Sequence, residues 1–500
     1  MKRNRQSPRF WGVAILVICA VISLGMTDFS HARLGVWTDS GVEYYTKILY
    51  PDAKCIYLDG VSNMTQNLMQ GKIDGFLMAR TIVENLKKEG VNIDYLPDTL
   101  CKVPCVYAFT MSERGKMLCS QMNDFIAAIK ADGTLERLQK KWMEGDESVR
   151  NFTKAKLTGE NGTIVVGSSA ETVPYSYMKD NELTGFEIEI IDLFCAANGY
   201  RYEVKTNNFD AMLADVSIGK IDIGASYIEW LPDREGNVLF STPTDEGYCV
   251  MVVRSEDSDE TGFLSWLKRG ITNTLIVENR WQMIVEGMCV TLVITLFAAL
   301  LGTLLGFVVY LLYREKYNVV NKFIDMSVTA LQGVPDLILL MFFYYVVFGS
   351  INIGGTVVAV IVFSIILSVS VFIMLKSGSE SIDKGQTEAA LALGFTERRT
   401  YLKFILPQVV TVFFPTYKKA LVDMMLSTAI VGYVAVQDLT RMGDLIRART
   451  FDAFVPLIIV SVIYFLLSWL MLKGMGSLLP RLNPRNRKPE KILKGVNWER

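Results

Sequence analysis

The chemistry open to this chain of 500 residues is bounded first by the side chains it lacks. His31 is the only histidine, so neither a histidine-based catalytic triad nor a zinc site of the usual kind can be assembled. No G-x-x-x-x-G-K-S/T stretch occurs, which excludes a nucleotide-hydrolysing loop of that type. Of the eight cysteines, Cys101 and Cys105 are near enough in sequence to bridge, but they lack the second pair that a zinc site requires. Nothing calls for a cofactor, and the chain does not read as an enzyme. Recognition and movement remain, and one stretch is built for both: Gly385-Gln386-Thr387-Glu388-Ala389-Ala390-Leu391-Ala392-Leu393-Gly394, followed by Phe404-Ile405-Leu406-Pro407-Gln408. Glu388 is expected to begin a short helix, where a carboxylate meets the positive end of the helix dipole. Ala389, Ala390 and Ala392 favour the helix and give it a thin face that can enter a groove on a partner. Gly394 permits the left-handed turn that ends it. A second segment, 397–406, follows, with Pro407 expected to stop it.

The elements that must position this hairpin fall into two halves. Apolar residues make up 51% of the chain and charged residues 21%, below the roughly 25% of soluble domains. Residues 31–280 read as an ordinary soluble protein, whereas 282–475 are dominated by long apolar runs. A net charge of −1 gives no reason to expect nucleic acid. Lys2, Arg3, Arg5 and Arg9 precede the apolar run 10–26, so 1–29 is expected to be a signal peptide or membrane anchor and the next segment to be exported. Five spans are expected at about 285–313, 323–348, 355–375, 409–436 and 454–474, each near the roughly 20 residues a spanning helix needs. With 27–280 outside, the basic loops 314–322 and 376–408 and the basic tail 481–500 all fall inside, in line with the positive-inside rule. The loop 437–453, with Arg441, Arg447 and Arg449, departs from that rule. A helix lying in the membrane interface is expected within 257–281.

The soluble half contains a repeat. Met69-Gln70-Gly71-Lys72-Ile73-Asp74-Gly75 parallels Ser217-Ile218-Gly219-Lys220-Ile221-Asp222-Ile223. Each unit reads as an amphipathic helix, a glycine that ends it and a buried strand. Earlier strands are expected at 33–39 and 163–169. Strand–helix–strand units of this kind form parallel α/β layers, and two of them make two lobes with a ligand held near strand C-termini and helix N-termini.

The hairpin at 385–408 resembles the EAA loop of ABC importer permeases, with Phe404 where the consensus has isoleucine. Ile382-Asp383-Lys384, Gln437-Asp438-Leu439-Thr440 and Arg449-Thr450-Phe451 are similar to stretches of the polar amino-acid permeases. Gln332-Gly333-Val334-Pro335 resembles their R-G-T-P segment, with Gln332 replacing arginine. This resemblance implies an all-α permease domain at 282–480 working as a homodimer or with a paired permease. It also implies a separate ABC ATPase docked on Glu388, Ala389, Ala390 and Gly394.

The soluble half resembles the type 3 periplasmic-binding proteins, through Val173-Pro174-Tyr175-Ser176-Tyr177, Gly185-Phe186-Glu187-Ile188-Glu189, 222–227 and Pro232-Asp233-Arg234. Asp132-Gly133-Thr134-Leu135 with Lys141-Trp142 are similar to that family's closing helix. The fold implied is an α/β two-lobed domain with its lobe order permuted: second lobe and closing helix at 30–144, linker at 145–160, first lobe at 161–256. The resemblance places Tyr175 on the ring that stacks on the ligand and Arg234 on the arginine that grips its α-carboxylate. Thr38, Asp39 and Ser40 fall on a loop at a helix start, where N–H groups bind anions. Departures concern the amino-group clamp. Ser169 replaces an acidic residue, Glu229 replaces a hydroxyl residue, and the second-lobe aspartate aligns with Ala79, followed by Arg80. Glu229 could restore the missing negative charge. The implied function is the permease subunit of an ATP-driven importer of amino acids or related small polar solutes, embedded in a bacterial cell membrane with its binding domain outside. The alternative is a ligand-gated channel or a sensor, since similar bilobed domains serve both. A channel would need a re-entrant filter segment, which the spacing of the spans does not reveal, and a sensor would need a cytoplasmic signalling domain.

Overall fold

Alternating short apolar strands and amphipathic helices set the first half of the chain. The structure is a computed structural model that describes residues 29–37, 40–58, 60–146, 148–230, 236–255, 263–314, 318–349, 351, 353–450, 452 and 454–482. The order is β1 (Arg33–Trp37), α1 (Gly41–Leu49), β2 (Lys54–Leu58), α2 (Gly60–Met69), β3 (Gly75–Ala79), α3 (Arg80–Lys88), β4 (Ile93–Tyr95) and β5 (Cys101–Phe109). Then come α4 (Glu113–Ala131), α5 (Thr134–Gln139), β6 (Thr163–Ser168), β7 (Glu171–Thr172), β8 (Ser176–Lys179), β9 (Glu182–Thr184), α6 (Phe186–Ala197), β10 (Arg201–Thr206), α7 (Phe209–Ser217), β11 (Ile223–Glu229), β12 (Leu239–Phe240) and β13 (Asp245–Arg254).

Contacts divide the chain into two units. The first comprises 1–105, 229–231 and 243–260, and the second comprises 106–228, 232–242 and 261–500. In the first, β1 pairs in parallel with β2 and β3, and β13 runs antiparallel to β3, β4 and the start of β5. In the second, β6 lies between β10 and β11 and is parallel to both. Helix α4 packs on α6, with the Phe125 and Phe194 rings 5.7 Å apart, and Lys141 reaches Glu189 at 2.7 Å. Strand β13 joins the first unit. The chain passes between the units in the middle of β5, at the end of β11, after residue 231, just before β13 and after residue 260.

The repeat recurs bond for bond. Gly71 (φ 67°) and Gly219 (φ 76°) take the left-handed conformation that ends α2 and α7. Their N–H groups donate to Leu68 O and Val216 O, and the following Lys72 and Lys220 N–H groups donate to Asn67 O and Asp215 O. Asp74 and Asp222 then accept from the N–H of Arg33 and of Val165, in the neighbouring strands.

The second half is helical: α8 (Phe263–Ile271), α9 (Trp281–Arg314), α10 (Asn318–Gln332), α11 (Asp336–Phe342), α12 (Gly355–Glu380), α13 (Lys384–Ala392), α14 (Glu397–Thr400), α15 (Leu406–Ser427), α16 (Leu439–Thr450) and α17 (Phe454–Leu482). Among the described residues three helices are long and apolar enough to cross a membrane, or up to five spans if two bent pairs each count as one. The expected straight span at 323–348 is broken: α10 and the segment beginning at α11 meet at 107°. Pro335 explains the break, because it has no N–H to donate and disfavours helix at Val334. The sequence reading of one straight span is therefore replaced by two helices joined at a sharp bend. The span expected at 409–436 continues through a 3-10 turn, Thr428–Val434, and bends by 55° into α16. Helix α8 falls inside the expected 257–281 segment, and the 145–160 linker carries no helix or strand among its described residues.

Candidate functional site

The lobe residues named from sequence lie in both units. In the second, Ser169 follows β6. Its N–H donates to Ser226 Oγ at 3.0 Å, and the two hydroxyls are 2.5 Å apart. Tyr175 is fully buried, with its ring 4.5 Å from Tyr227 and edge-on to Phe186 at 6.1 Å. Glu187, from the Gly185-Phe186-Glu187 stretch, accepts the N–H of Tyr227 on both oxygens at 3.1 and 3.0 Å. That charge-assisted pair holds Tyr227 at φ 50°, unusual for a residue with a side chain. Sequence reasoning quoted Glu187 as a motif residue without seeing that it braces the aromatic pair.

In the first unit, Ser40 caps α1, its hydroxyl accepting from Glu43 N at 3.2 Å. Glu229 is buried, and its Oε2 accepts the N–H groups of Gly41 and, at 3.3 Å, Val42. The anion position at the start of α1 is therefore filled by a side chain of the chain itself, and Glu229 does not stand open as an amino-group clamp on that oxygen. We expect Glu229→Ala to destabilise the first unit by about 2 kcal/mol, since two buried donors lose a charged acceptor. Glu229→Gln should cost less than half as much. Hydrogen exchange of the α1 amides in the full chain measures both. Arg80 begins α3, donates to Pro97 O at 3.0 Å and Thr99 Oγ1 at 3.2 Å, and stacks over Tyr95. It is tied to its own loop. Thr38, Asp39 and Arg234 lie outside the described residues.

Geometry decides against the possible bridge. Cys101 and Cys105 both lie on β5 and are not bonded to one another. Four residues of strand separate their Cα atoms by about 13 Å, beyond the reach of a disulfide. Cys101 stands opposite Cys249 instead.

The hairpin at 384–405 is also clear. Helix α13 starts at Lys384, four residues before the expected Glu388, because the Asp383 carboxylate caps it through Gly385 N at 2.7 Å. Glu388 and Ala389 are exposed, whereas Ala390 is buried toward the 401–405 turn. Gly394 has φ 84° and closes the helix, donating to Leu391 O at 2.9 Å. Leu393 is 77% exposed and Leu391 40%, an apolar tip left uncovered among the described residues. Pro407 does not stop the second segment. It sits in the first turn of α15, where its missing N–H costs nothing.

Comparison with known proteins agrees with both halves. A model of the bacterial extracellular solute-binding proteins, family 3, matches residues 164–425. The glutamine transport system permease protein GlnP of Rickettsia conorii is 30% identical over 190 residues, 38% of this chain and 87% of the relative. The arginine transport system permease protein ArtQ of Bacillus subtilis is 30% identical over 203 residues, 40% of this chain and 91% of ArtQ. A crystal structure of an amino acid ABC transporter with histidines aligns at TM-score 0.39 and 27% identity, covering 45% of this chain and all of that one. The chain belongs to the bacterial extracellular solute-binding proteins, family 3, with a half of the transport-system permease family fused to it.

Proposed function

We propose that the chain is the permease subunit of an ATP-binding-cassette importer, carries its own solute-binding domain, and takes up amino acids or related small polar solutes. The observation that carries this reading is the exposed apolar tip Leu391–Leu393 at the end of a capped helix, on a chain whose relatives are permeases. Such a tip suits a groove on a separate ATPase, and the exposed Glu388 and Ala389 sit on the same helix. The permease would work as a homodimer or beside a paired permease, held in membrane lipid of a bacterial cell, with the binding domain extracytoplasmic. The arginines of the one discordant loop are ion-paired within the chain, Arg441 with Glu171 at 2.7 Å and Arg449 with Glu278 at 2.9 Å, a carboxylate that Arg280 shares.

A permuted lobe order accounts for the division of contacts. Read from β6 through β11, then β13, then β1 to β5 and last α4 and α5, the two long stretches of the first unit, 243–260 and 1–105, would follow one another. Glutamine and arginine, the solutes in the names of two relatives, define the substrate class to test. Co-expressed with ABC ATPase subunits and reconstituted in vesicles of E. coli polar lipid, the full chain should take up labelled glutamine or arginine only with ATP inside. Uptake of neither, with ATPase bound, would discard the solute class; failure to bind any ATPase would discard the reading. Within the same assay, Arg234→Ala should raise the half-saturating solute concentration at least tenfold, since a bidentate guanidinium–carboxylate pair is lost. The channel alternative draws support only from the 107° bend, which broken spans of transporters also show.

A further inference from the structure

The second unit contains a polar contact that neither the family match nor the relatives account for. Helix α16 leaves the membrane half and sets Arg441 against the binding lobe. Its Nη1 meets Glu171 Oε1 at 2.7 Å, and its Nη2 donates to Ser169 O and to Asn207 O, both at 2.9 Å. Ser169 and Asn207 are the residues that follow β6 and β10, adjacent parallel strands. In α/β sheets the ligand is held outside those strand ends. Arg441 therefore grips, from the permease side, the edge of the lobe where a solute is expected, and it is only 6% exposed while doing so.

The base of α16 is equally fixed. Asp438 is wholly buried, and its Oδ1 accepts Arg441 N at 3.0 Å while Tyr464 of α17 donates to its Oδ2 at 3.2 Å. Leu439 N donates to Thr291 of α9 at 3.2 Å. Movement of the strand ends thus has a direct mechanical route into two membrane helices. Gln437 donates to Thr206, and Lys220 donates to Tyr344 O, so the contact has more than one point of attachment.

We propose that Arg441 is a positioning residue that latches the solute-facing strand ends of the lobe onto the permease and couples their state to α17 through Asp438 and to α9 through Leu439. This rests on the importer reading, and the test separates the two. Hydrogen exchange is measured on the full chain in nanodiscs of E. coli polar lipid, and uptake of labelled glutamine and arginine on the chain reconstituted with its ATPase. Arg441→Ala should speed exchange at 168–172 and 206–209 at least tenfold with 223–228 unchanged. It should also lower the maximal uptake rate at least tenfold with the half-saturating concentration within threefold. Arg441→Lys, which keeps a charge for Glu171 but cannot reach both carbonyls in the same fork, should fall between. Unchanged exchange at the two strand ends, or faster exchange spread equally over 223–228, would overturn the latch. Faster exchange confined to the strand ends with normal uptake would overturn the coupling. If the wild-type chain transports neither amino acid, the importer reading fails on its own, and the exchange result still decides the latch.

Discussion

Gly306→Leu should remove most of the folded protein: in fluorescence-detected size exclusion, the monodisperse peak of the full chain should fall at least fivefold. The reason is the close approach of two membrane helices. Gly302 and Gly306 stand one turn apart on α9 and face α12. A Cβ at Gly302 would lie 2.7 Å from Ser364 O, and one at Gly306 would lie 2.6 Å from Ser368 O and 2.8 Å from Val371 Cβ. The obstacles are backbone oxygens, so no rotamer change relieves them and the helices must part. Inside lipid that separation is not repaid by burying more apolar surface, because close van der Waals packing is what holds such pairs together. Overpacking in cores costs about 1–3 kcal/mol where side chains can adjust, and here the backbone would have to give. Leu304→Phe is the control. Leu304 lies on the same helix but is 61% exposed, so a larger side chain there should leave the peak intact. A normal peak for Gly306→Leu would show that the approach of α9 to α12 is looser than the structure places it.

The extent to which these features can be read from sequence depends on the range of the interaction. The repeat was legible because Gly71 and Gly219, with the aspartates three residues later, are local signals that the structure repeats bond for bond. The membrane half was legible from apolar length, and helix α13 from its alanines and Gly394. What escaped was non-local. The burial of Glu229 against the start of α1 joins residues 188 apart, and nothing in the spacing reveals it. Arg441 looked like an excess charge in an external loop, since its partner Glu171 is 270 residues away. The 107° bend was signalled by Gly333-Val334-Pro335, but an apolar window averages over three residues and reports one span. The start of α13 lies four residues before the expected Glu388 because Asp383, which caps it, precedes the Gly385–Gly394 motif.

Gly394→Val should reduce ATP-dependent uptake and ATPase co-purification at least tenfold while leaving the size-exclusion peak of the chain alone unchanged. A Cβ at Gly394 would touch nothing within 4 Å, so the effect cannot come from crowding inside the chain. It comes from the backbone. At φ 84° an ordinary residue is disfavoured by roughly 1–2 kcal/mol, and a β-branched one by more. That turn is what joins α13 to α14: Phe395 N donates to Ala390 O at 3.2 Å, and the Phe395 ring meets Phe404 at 5.0 Å. Opening it would swing Leu391 and Leu393 away from the geometry in which they are presented. Asparagine visits the left-handed region more readily than any other residue with a side chain of this size, so Gly394→Asn should remain near wild type and Gly394→Ala should fall between Asn and Val. This ranking separates two causes. If Asn, Ala and Val were equally defective, the added atoms would be clashing with the ATPase itself, and Gly394 would be a contact residue. If the ranking Gly, Asn, Ala, Val holds, the glycine acts by setting the turn, and the recognition lies in the leucines it exposes.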